Sequence, residues 1–153
     1  EDVEELLDEL KSLQADIGII LKIETKAAYK NLPGILLKAM ENYPVGVMIA
    51  RGDLAVETGW KNFAIIQEEV LQLCEAAHLP DIWATQVLEN LAKKGIPTRA
   101  EMTDVAMAER ADCVMLNKGP YIEKTVKMLD KVLRKMQRIQ KGKTTLLPKL
   151  EFS

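Results

Sequence analysis

Short apolar runs alternate with amphipathic segments along the chain. Each apolar run is too short for a stable helix and suits a buried strand of a parallel sheet. The predicted strands are Ile17–Glu24, Val45–Ala50, Asp81–Thr85 and Cys113–Leu116. Their ends are spaced by roughly 30 residues, which is typical of repeated strand–helix units. The pattern therefore predicts an α/β fold with a parallel sheet.

The segments between the strands have the apolar spacing of amphipathic helices. The predicted helices are 1–15, Ala27–Met40, Asn62–Ala77, Val87–Lys94, Thr98–Arg110 and Pro120–Lys141. Pro33 and Gly34 break the start of the second helix. Asn62 is predicted as an N-cap, and Thr98 with Glu101 has the spacing of a capping box. The Arg51–Gly52–Asp53 triplet is predicted as a loop, and Trp60 and Trp83 as core residues.

Composition narrows the class of protein. The 153 residues suit one domain or part of a larger one, with 48% hydrophobic and 29% charged residues as in soluble globular proteins. A net charge of -2 argues against nucleic-acid binding by bulk positive charge. The absence of an 18-residue apolar run excludes a membrane span.

The ends and cysteines of the chain give further expectations. The two cysteines, Cys74 and Cys113, form no CxxC pair, so we expect a reducing, cytoplasmic compartment rather than a disulfide scaffold. The first residues do not have the pattern of a signal peptide, so none is expected. Because the first residue is Glu1 rather than Met, we expect a processed chain or an excised piece.

Polar side chains lie at the end of each predicted strand or directly after it. They are Lys22 and Glu24, then Arg51, Gly52 and Asp53, then Thr85 and Gln86, and finally Asn117 and Lys118. In parallel α/β folds, ligands bind at the carboxyl ends of strands. The four strand ends therefore predict one composite site.

Two interpretations of these residues stay open on spacing alone. Lys22 lies between Leu21 and Ile23, so it either extends to solvent or faces a ligand. Glu24 and Asp53 could hold a hard cation such as Mg²⁺. The simpler alternative is that Glu24 pairs with Lys22 and Asp53 caps the next element.

The same choice applies to the remaining strand-end residues. Gly52 allows close approach of the backbone to a ligand, and its N–H could bind a carboxylate or a phosphate. Thr85 and Gln86 could contact a ligand or cap a helix.

Four segments in order and spacing resemble the pyruvate kinase family. They read LKIET at 21–25, VGVMIARGDLAVE at 45–57, IWATQVLENLAKKGIPTRAEMTDVA at 82–106 and ADCVMLNKG at 111–119. The resemblance runs from about Ile17 to Leu133. Ala55 stands where the family usually has glycine, and MLNKG stands where it has MLSGE, so the chain resembles a divergent branch of the family.

The resemblance implies a fold and a domain division. It implies the last four strand–helix units of a (β/α)8 TIM barrel, with one preceding helix. Residues 1–141 would form this C-terminal half of the barrel, and residues 142–153 would be a tail or linker. Four strands leave the barrel open, so we also expect self-association into an oligomer through its edges and apolar inner face.

The resemblance also implies residue roles. Lys22 would stabilise the phosphoryl group in transfer and the enolate oxygen, and Glu24 and Asp53 would bind the metal. Backbone N–H groups near Arg51, Gly52 and Asp53 would hold the substrate carboxylate. Thr85 would lie beside the reacting methylene as a second catalytic residue.

The implied activity is a step of glycolysis. It is Mg²⁺-dependent phosphoryl transfer between phosphoenolpyruvate and ADP, giving pyruvate and ATP, with Mn²⁺ able to replace Mg²⁺. The family's K⁺ site would lie outside this chain. No nucleic-acid or membrane partner is expected. The alternatives are a Mg²⁺-dependent lyase or aldolase acting through pyruvate enolate, and a non-catalytic binding or regulatory protein.

Overall fold

The computed structural model describes residues 1–143. Its four strands form one sheet in the order β1-β2-β3-β4. They are β1 (Ile19–Ile23), β2 (Val45–Ala50), β3 (Asp81–Val87) and β4 (Cys113–Leu116). Strand β2 pairs in parallel with β1 on one side and with β3 on the other. The predicted α/β architecture, with a helix before the first strand, is confirmed; of the predicted tail, residues 144–153 lie outside the described residues.

Helices connect and follow the strands. They are α1 (Asp2–Ser12), α2 (Lys26–Lys30), α3 (Leu32–Ala39), α4 (Arg51–Thr58), α5 (Trp60–Ala77), α6 (Glu89–Lys94), α7 (Arg99–Ala108) and α8 (Ile122–Lys143). None of these described helices is both long and apolar enough to cross a bilayer.

Several helix and strand boundaries differ from the prediction by a few residues, and two of the differences change the element order. The single helix predicted from Ala27 to Met40 is wrong, since Asn31 separates α2 from α3. Pro33 lies in the first turn of α3, where its missing N–H costs no hydrogen bond. The strand predicted to end at Thr85 continues to Val87, so α6 begins at Glu89.

The region after β2 also differs from the prediction. Arg51–Asp53 is not a loop, because α4 begins at Arg51 directly after the strand. Its N-cap residue is Ala50, and no side chain caps it. The prediction of Asn62 as an N-cap is wrong as well. Gly59, with a φ of 80°, precedes α5, and Asn62 lies within the helix and donates to the Thr58 carbonyl at 3.2 Å.

The described chain divides into two compact units. The first comprises Glu1–Gln86 and Arg110–Met115 and contains most of the sheet. Parallel register aligns Ile49 with Ile23 and Trp83, and all three side chains are at most 2% exposed. They form the packed face of the sheet. Trp83 is therefore a core residue as predicted, whereas Trp60 is 76% exposed and the prediction for it is wrong.

The opposite face of the sheet is more open. Because side chains alternate along a strand, the face away from Ile49 carries Ile20, Lys22, Met48 and Ile82. Ile20 is 50% exposed, and Met48 and Ile82 are partly exposed. Lys22 is thus not directed into the packed core, and the burial penalty for a lysine there does not arise.

Among the described residues, the second unit comprises Val87–Glu109 and residues 116–143. The predicted capping box is confirmed: Thr98 Oγ1 accepts from the Glu101 backbone N–H at 3.2 Å, and Glu101 Oε2 accepts from the Thr98 N–H at 2.7 Å. These two bonds satisfy the first turn of α7. Gly95, with a φ of 77°, ends α6 as predicted.

The Asn117–Lys118–Gly119 segment packs against α6 within the second unit. Asn117 Nδ2 donates to Glu89 Oε1 at 3.3 Å, and the Tyr121 backbone N–H donates to the Ala92 carbonyl at 3.0 Å. A Cβ added at Gly119 would overlap that same carbonyl group. Glycine is therefore required where the chain passes α6 before α8.

We predict that Gly119→Ala lowers the free energy of unfolding by about 1–3 kcal/mol, because a backbone carbonyl cannot yield to the new methyl group. Urea unfolding monitored by circular dichroism measures this change. Gly34→Ala in α3 is the matched control, because a Cβ added there would have no atom within 4 Å. Since alanine favours a helix more than glycine does, we expect this substitution to stabilise the chain by about 0.5–1 kcal/mol. Equal effects of the two substitutions would contradict the close-packing explanation.

Candidate active site

Three charged side chains meet at the carboxyl ends of β1 and β2. The Lys22 ammonium forms an ion pair with Glu24 and lies 4.0 Å from Asp53 Oδ2. All three side chains are partly exposed, with Lys22 at 51%, Glu24 at 39% and Asp53 at 69%. Glu24 and Asp53, which follow different strands, therefore form one accessible charged cluster with Lys22.

The backbone explains how each group reaches this cluster. Lys22 lies beside Met48 in the parallel register, one residue before the end of β1. Glu24 follows the strand directly, and Thr25 then caps α2 by accepting from the Ala28 N–H at 3.1 Å. Asp53 lies in the first turn of α4, where the positive end of the helix dipole favours a carboxylate.

The cluster keeps the lysine charged. The hydrogen bond to Glu24 raises the pKa of Lys22 above its ordinary value of 10.5. Partial desolvation opposes this shift, and the charges of Glu24 and Asp53 add to it. Lys22 is therefore a cation at neutral pH, placed among two carboxylates. Glu24 forms the predicted ion pair with Lys22, and the N-cap residue of α4 is Ala50, whose side chain makes no cap hydrogen bond.

The carboxylates of Glu24 and Asp53 fit a hard divalent cation. Glu24 pairs with the Lys22 ammonium and Asp53 Oδ2 lies 4.0 Å from it, so a cation near this position would have a carboxylate on either side. Residues 1–143 contain no group of three or more His, Cys, Asp or Glu side chains suited to a metal. Mg²⁺ is commonly held by one or two carboxylates, with water and substrate oxygens completing its coordination. The donor set therefore fits Mg²⁺ bound together with a substrate.

Arg51 uses its side chain to join β2 and β3. Its Nε donates to the Ala84 carbonyl at 3.0 Å, and its Nη2 donates to the Thr85 carbonyl at 2.8 Å. The guanidinium carbon also lies 4.5 Å from the centre of the Trp83 ring. The Arg51 side chain thus binds the end of β3, whereas the predicted carboxylate donor at this residue is its backbone N–H.

Gly52 lies close to the end of β3. A Cβ at Gly52 would be 3.4 Å from Thr85 Oγ1 and 3.7 Å from Gln86 Oε1. Gln86 adopts a φ of 60°, a left-handed conformation that is uncommon for residues other than glycine. The first turn of α4 and the end of β3 therefore meet, which brings together Arg51, Gly52 and Thr85 as predicted.

The fourth predicted strand end belongs to the second unit. Asn117 contacts Glu89 there, as described above. Within the first unit, the site residues form two groups, and the first turn of α4 contributes to each. Asp53 lies near Lys22 and Glu24, and Gly52 lies near Thr85.

Comparison with known sequences identifies the family of this chain. The sequence model of the pyruvate kinase barrel domain matches residues 1–126. The chain belongs to the pyruvate kinase family. Among curated relatives, it is 39% identical over 140 residues to pyruvate kinase of Methanocaldococcus jannaschii, covering 88% of this chain and 30% of that protein.

Two further relatives show the same partial coverage. Plastidial pyruvate kinase 3 of Arabidopsis thaliana is 43% identical over 117 residues, which cover 75% of this chain and 20% of that protein. Pyruvate kinase of Thermotoga maritima is 36% identical over 144 residues, which cover 90% and 30%. The chain thus spans less than a third of the length of these pyruvate kinases, and its sheet is part of a pyruvate kinase barrel domain.

One residue beside the site was assigned only to the core by sequence. Trp83 is buried as expected, but its ring also contacts the guanidinium that joins two strand ends. The position of Trp83 two residues before Thr85 was visible in the sequence. Its contact with Arg51 was not, because it depends on the register between β2 and β3.

Proposed function

We propose that this chain carries the lysine, metal and carboxylate-binding part of a site for Mg²⁺-dependent phosphoryl transfer between phosphoenolpyruvate and ADP. The observation that supports this most directly is the cluster of Lys22, Glu24 and Asp53 at adjacent strand ends. Phosphoryl transfer requires positioning and neutralisation of charge more than covalent chemistry. A cluster with one cation and two metal-binding carboxylates suits that requirement.

Lys22 is the proposed catalytic cation. Its raised pKa keeps the ammonium charged at neutral pH. In this role it binds the phosphoryl group during transfer and then the negative charge on the enolate oxygen of pyruvate. It would have to leave Glu24 to do so, and its half-exposed position permits that movement.

Glu24 and Asp53 are the proposed ligands of Mg²⁺, with Mn²⁺ as a substitute. When bound, the metal would act as a Lewis acid and as a template for substrate oxygens. The N–H groups of Arg51, Gly52 and Asp53 open α4, so the substrate carboxylate would bind at the positive end of that helix. Thr85, adjacent to Gly52, would lie beside the reacting methylene.

We place the sites for K⁺ and most of the ADP site outside the described residues, because the relatives are more than three times as long as the matched segment. The cytoplasm is the proposed location. Both cysteines are free thiols, with Cys74 buried and Cys113 exposed, as expected in a reducing compartment.

Isothermal calorimetry with phosphoenolpyruvate tests the proposed site. We expect binding that requires Mg²⁺, and we expect Lys22→Met to weaken it about 10- to 100-fold, because a charged hydrogen-bonding partner of the phosphate is lost. Glu24→Ala with Asp53→Ala should remove this Mg²⁺-dependent binding.

A matched control removes one glutamate and one aspartate from the other ends of the same strands. Asp16 precedes β1 and Glu41 precedes β2, and both are exposed. Asp16→Ala with Glu41→Ala should leave binding unchanged. A folded chain that binds no phosphoenolpyruvate in Mg²⁺ would contradict the proposal. Binding without phosphoryl transfer in the protein that carries this chain would favour the non-catalytic alternative.

We propose further that the chain associates with itself through the open sheet. Among the described strands, β1 lies at one edge and β4 at the other. The open face next to the β1 edge carries half-exposed Ile20. Unpaired strand edges and exposed apolar surface both favour association.

Sedimentation velocity at micromolar concentration should show a dimer or a larger species. Ile20→Lys should shift the distribution towards monomer, because a charge at an edge strand disfavours pairing. Leu37 is 72% exposed on α3, so Leu37→Lys serves as the control and should not shift it. A monodisperse wild-type monomer would refute this association.

A further inference from the structure

The guanidinium of Arg51 is held from two directions. In its own plane it donates to the carbonyl groups of Ala84 and Thr85, at 3.0 and 2.8 Å. From one face it is covered by the Trp83 ring, whose centre lies 4.5 Å from the guanidinium carbon. A flat cation fixed by two acceptors and one aromatic face has little freedom to change its orientation.

This arrangement anchors the start of α4. Arg51 is the first residue of α4, and no side chain caps that helix at Ala50. The side chain of Arg51 instead fastens the first turn of α4 to the end of β3. Gly52 follows immediately and lies against Thr85, where an added Cβ would be 3.4 Å from Oγ1.

Trp83 is itself part of the packed core. It is 2% exposed and lies beside Ile49, which is fully buried, in the packed face of the sheet. The sheet core therefore extends through the indole ring to the guanidinium and from there to the first turn of α4. These contacts link the packed core of the sheet to the first turn of α4, which carries the backbone N–H groups of Gly52 and Asp53.

We propose that Trp83 is a positioning residue of the active site. By holding the Arg51 guanidinium, it sets the backbone N–H groups of Gly52 and Asp53 for the substrate carboxylate. This inference rests on the proposed function, and it adds a residue that does not itself touch the substrate.

The aromatic face, rather than bulk alone, is the property required of this residue. A leucine would fill much of the same volume, but it lacks the negative face that attracts a guanidinium. Loss of a cation–π contact corresponds to about a two- to thirtyfold change in an equilibrium constant, the larger value applying to desolvated pairs.

Calorimetric titration of phosphoenolpyruvate in Mg²⁺ tests this role in the full chain. We expect Trp83→Leu to weaken binding about tenfold and Trp83→Phe to restore most of the affinity, because phenylalanine keeps an aromatic face. Trp60→Leu is the matched control. Trp60 is 76% exposed, and its ring pairs with Phe63 rather than with a cation, so its loss should not change the affinity.

Urea unfolding of the same variants separates positioning from general stability. Val70 is fully buried on α5, and Val70→Ala provides a core defect away from Arg51. If Val70→Ala loses as much affinity as Trp83→Leu at an equal loss of stability, the inference is overturned. Retained affinity in Val70→Ala supports it.

A double-mutant cycle tests whether Trp83 acts through Arg51. Arg51→Met removes the cation, and the double variant Arg51→Met with Trp83→Leu should then bind no more weakly than Arg51→Met alone. Independent, additive losses would overturn the inference. Wild-type affinity in Trp83→Leu would overturn it while leaving the proposed function intact. Absence of binding by the folded wild-type chain would overturn the proposed function and the inference together.

Discussion

Parallel pairing of β1, β2 and β3 is the constraint on which the site depends. The register places Lys22 beside Met48 and Ala50 beside Ala84, so three successive strands end at one edge of the sheet. Residues separated by about 30 positions in sequence become neighbours there because parallel strands all point the same way. A shift of one residue would turn Lys22 into the packed face and remove it from Glu24 and Asp53.

The charged cluster contributes little to holding the fold together. Its three side chains are between 39% and 69% exposed, and ion pairs between exposed groups are screened by water and salt. The stability of the first unit comes instead from buried residues such as Val47, Ile49 and Trp83. A cluster that adds little to stability but gathers opposite charges at strand ends is suited to binding a charged ligand.

Sequence patterns predicted the strands well because buried parallel strands are continuous apolar runs with few alternatives. The bounds of β2 and β4 match the prediction, and the Thr98–Glu101 capping box was found from its local spacing. The start of α4 was missed because Ala50 gives no capping signal and Gly52 suggests a loop. Asn62 was misassigned because its polar side chain resembled a cap, whereas the backbone turns at Gly59.

The candidate residues of the site could also be read from the sequence, but their arrangement could not. Lys22, Glu24, Asp53 and Thr85 were recognised as polar groups at strand ends. The contacts of the Arg51 side chain with β3 and with Trp83 follow from long-range register. Local spacing does not encode such a contact.

The most direct test of the account is the pKa of Lys22, measured by NMR of the labelled side chain with and without Mg²⁺ at constant ionic strength. If Glu24 and Asp53 bind the metal, Lys22 loses the hydrogen bond and the charges that raise its pKa, and it gains a nearby positive charge. We therefore predict that saturating Mg²⁺ lowers the pKa of Lys22, and that NaCl of equal ionic strength does so much less. An unchanged pKa in saturating Mg²⁺ would contradict the assignment of these carboxylates as the metal site.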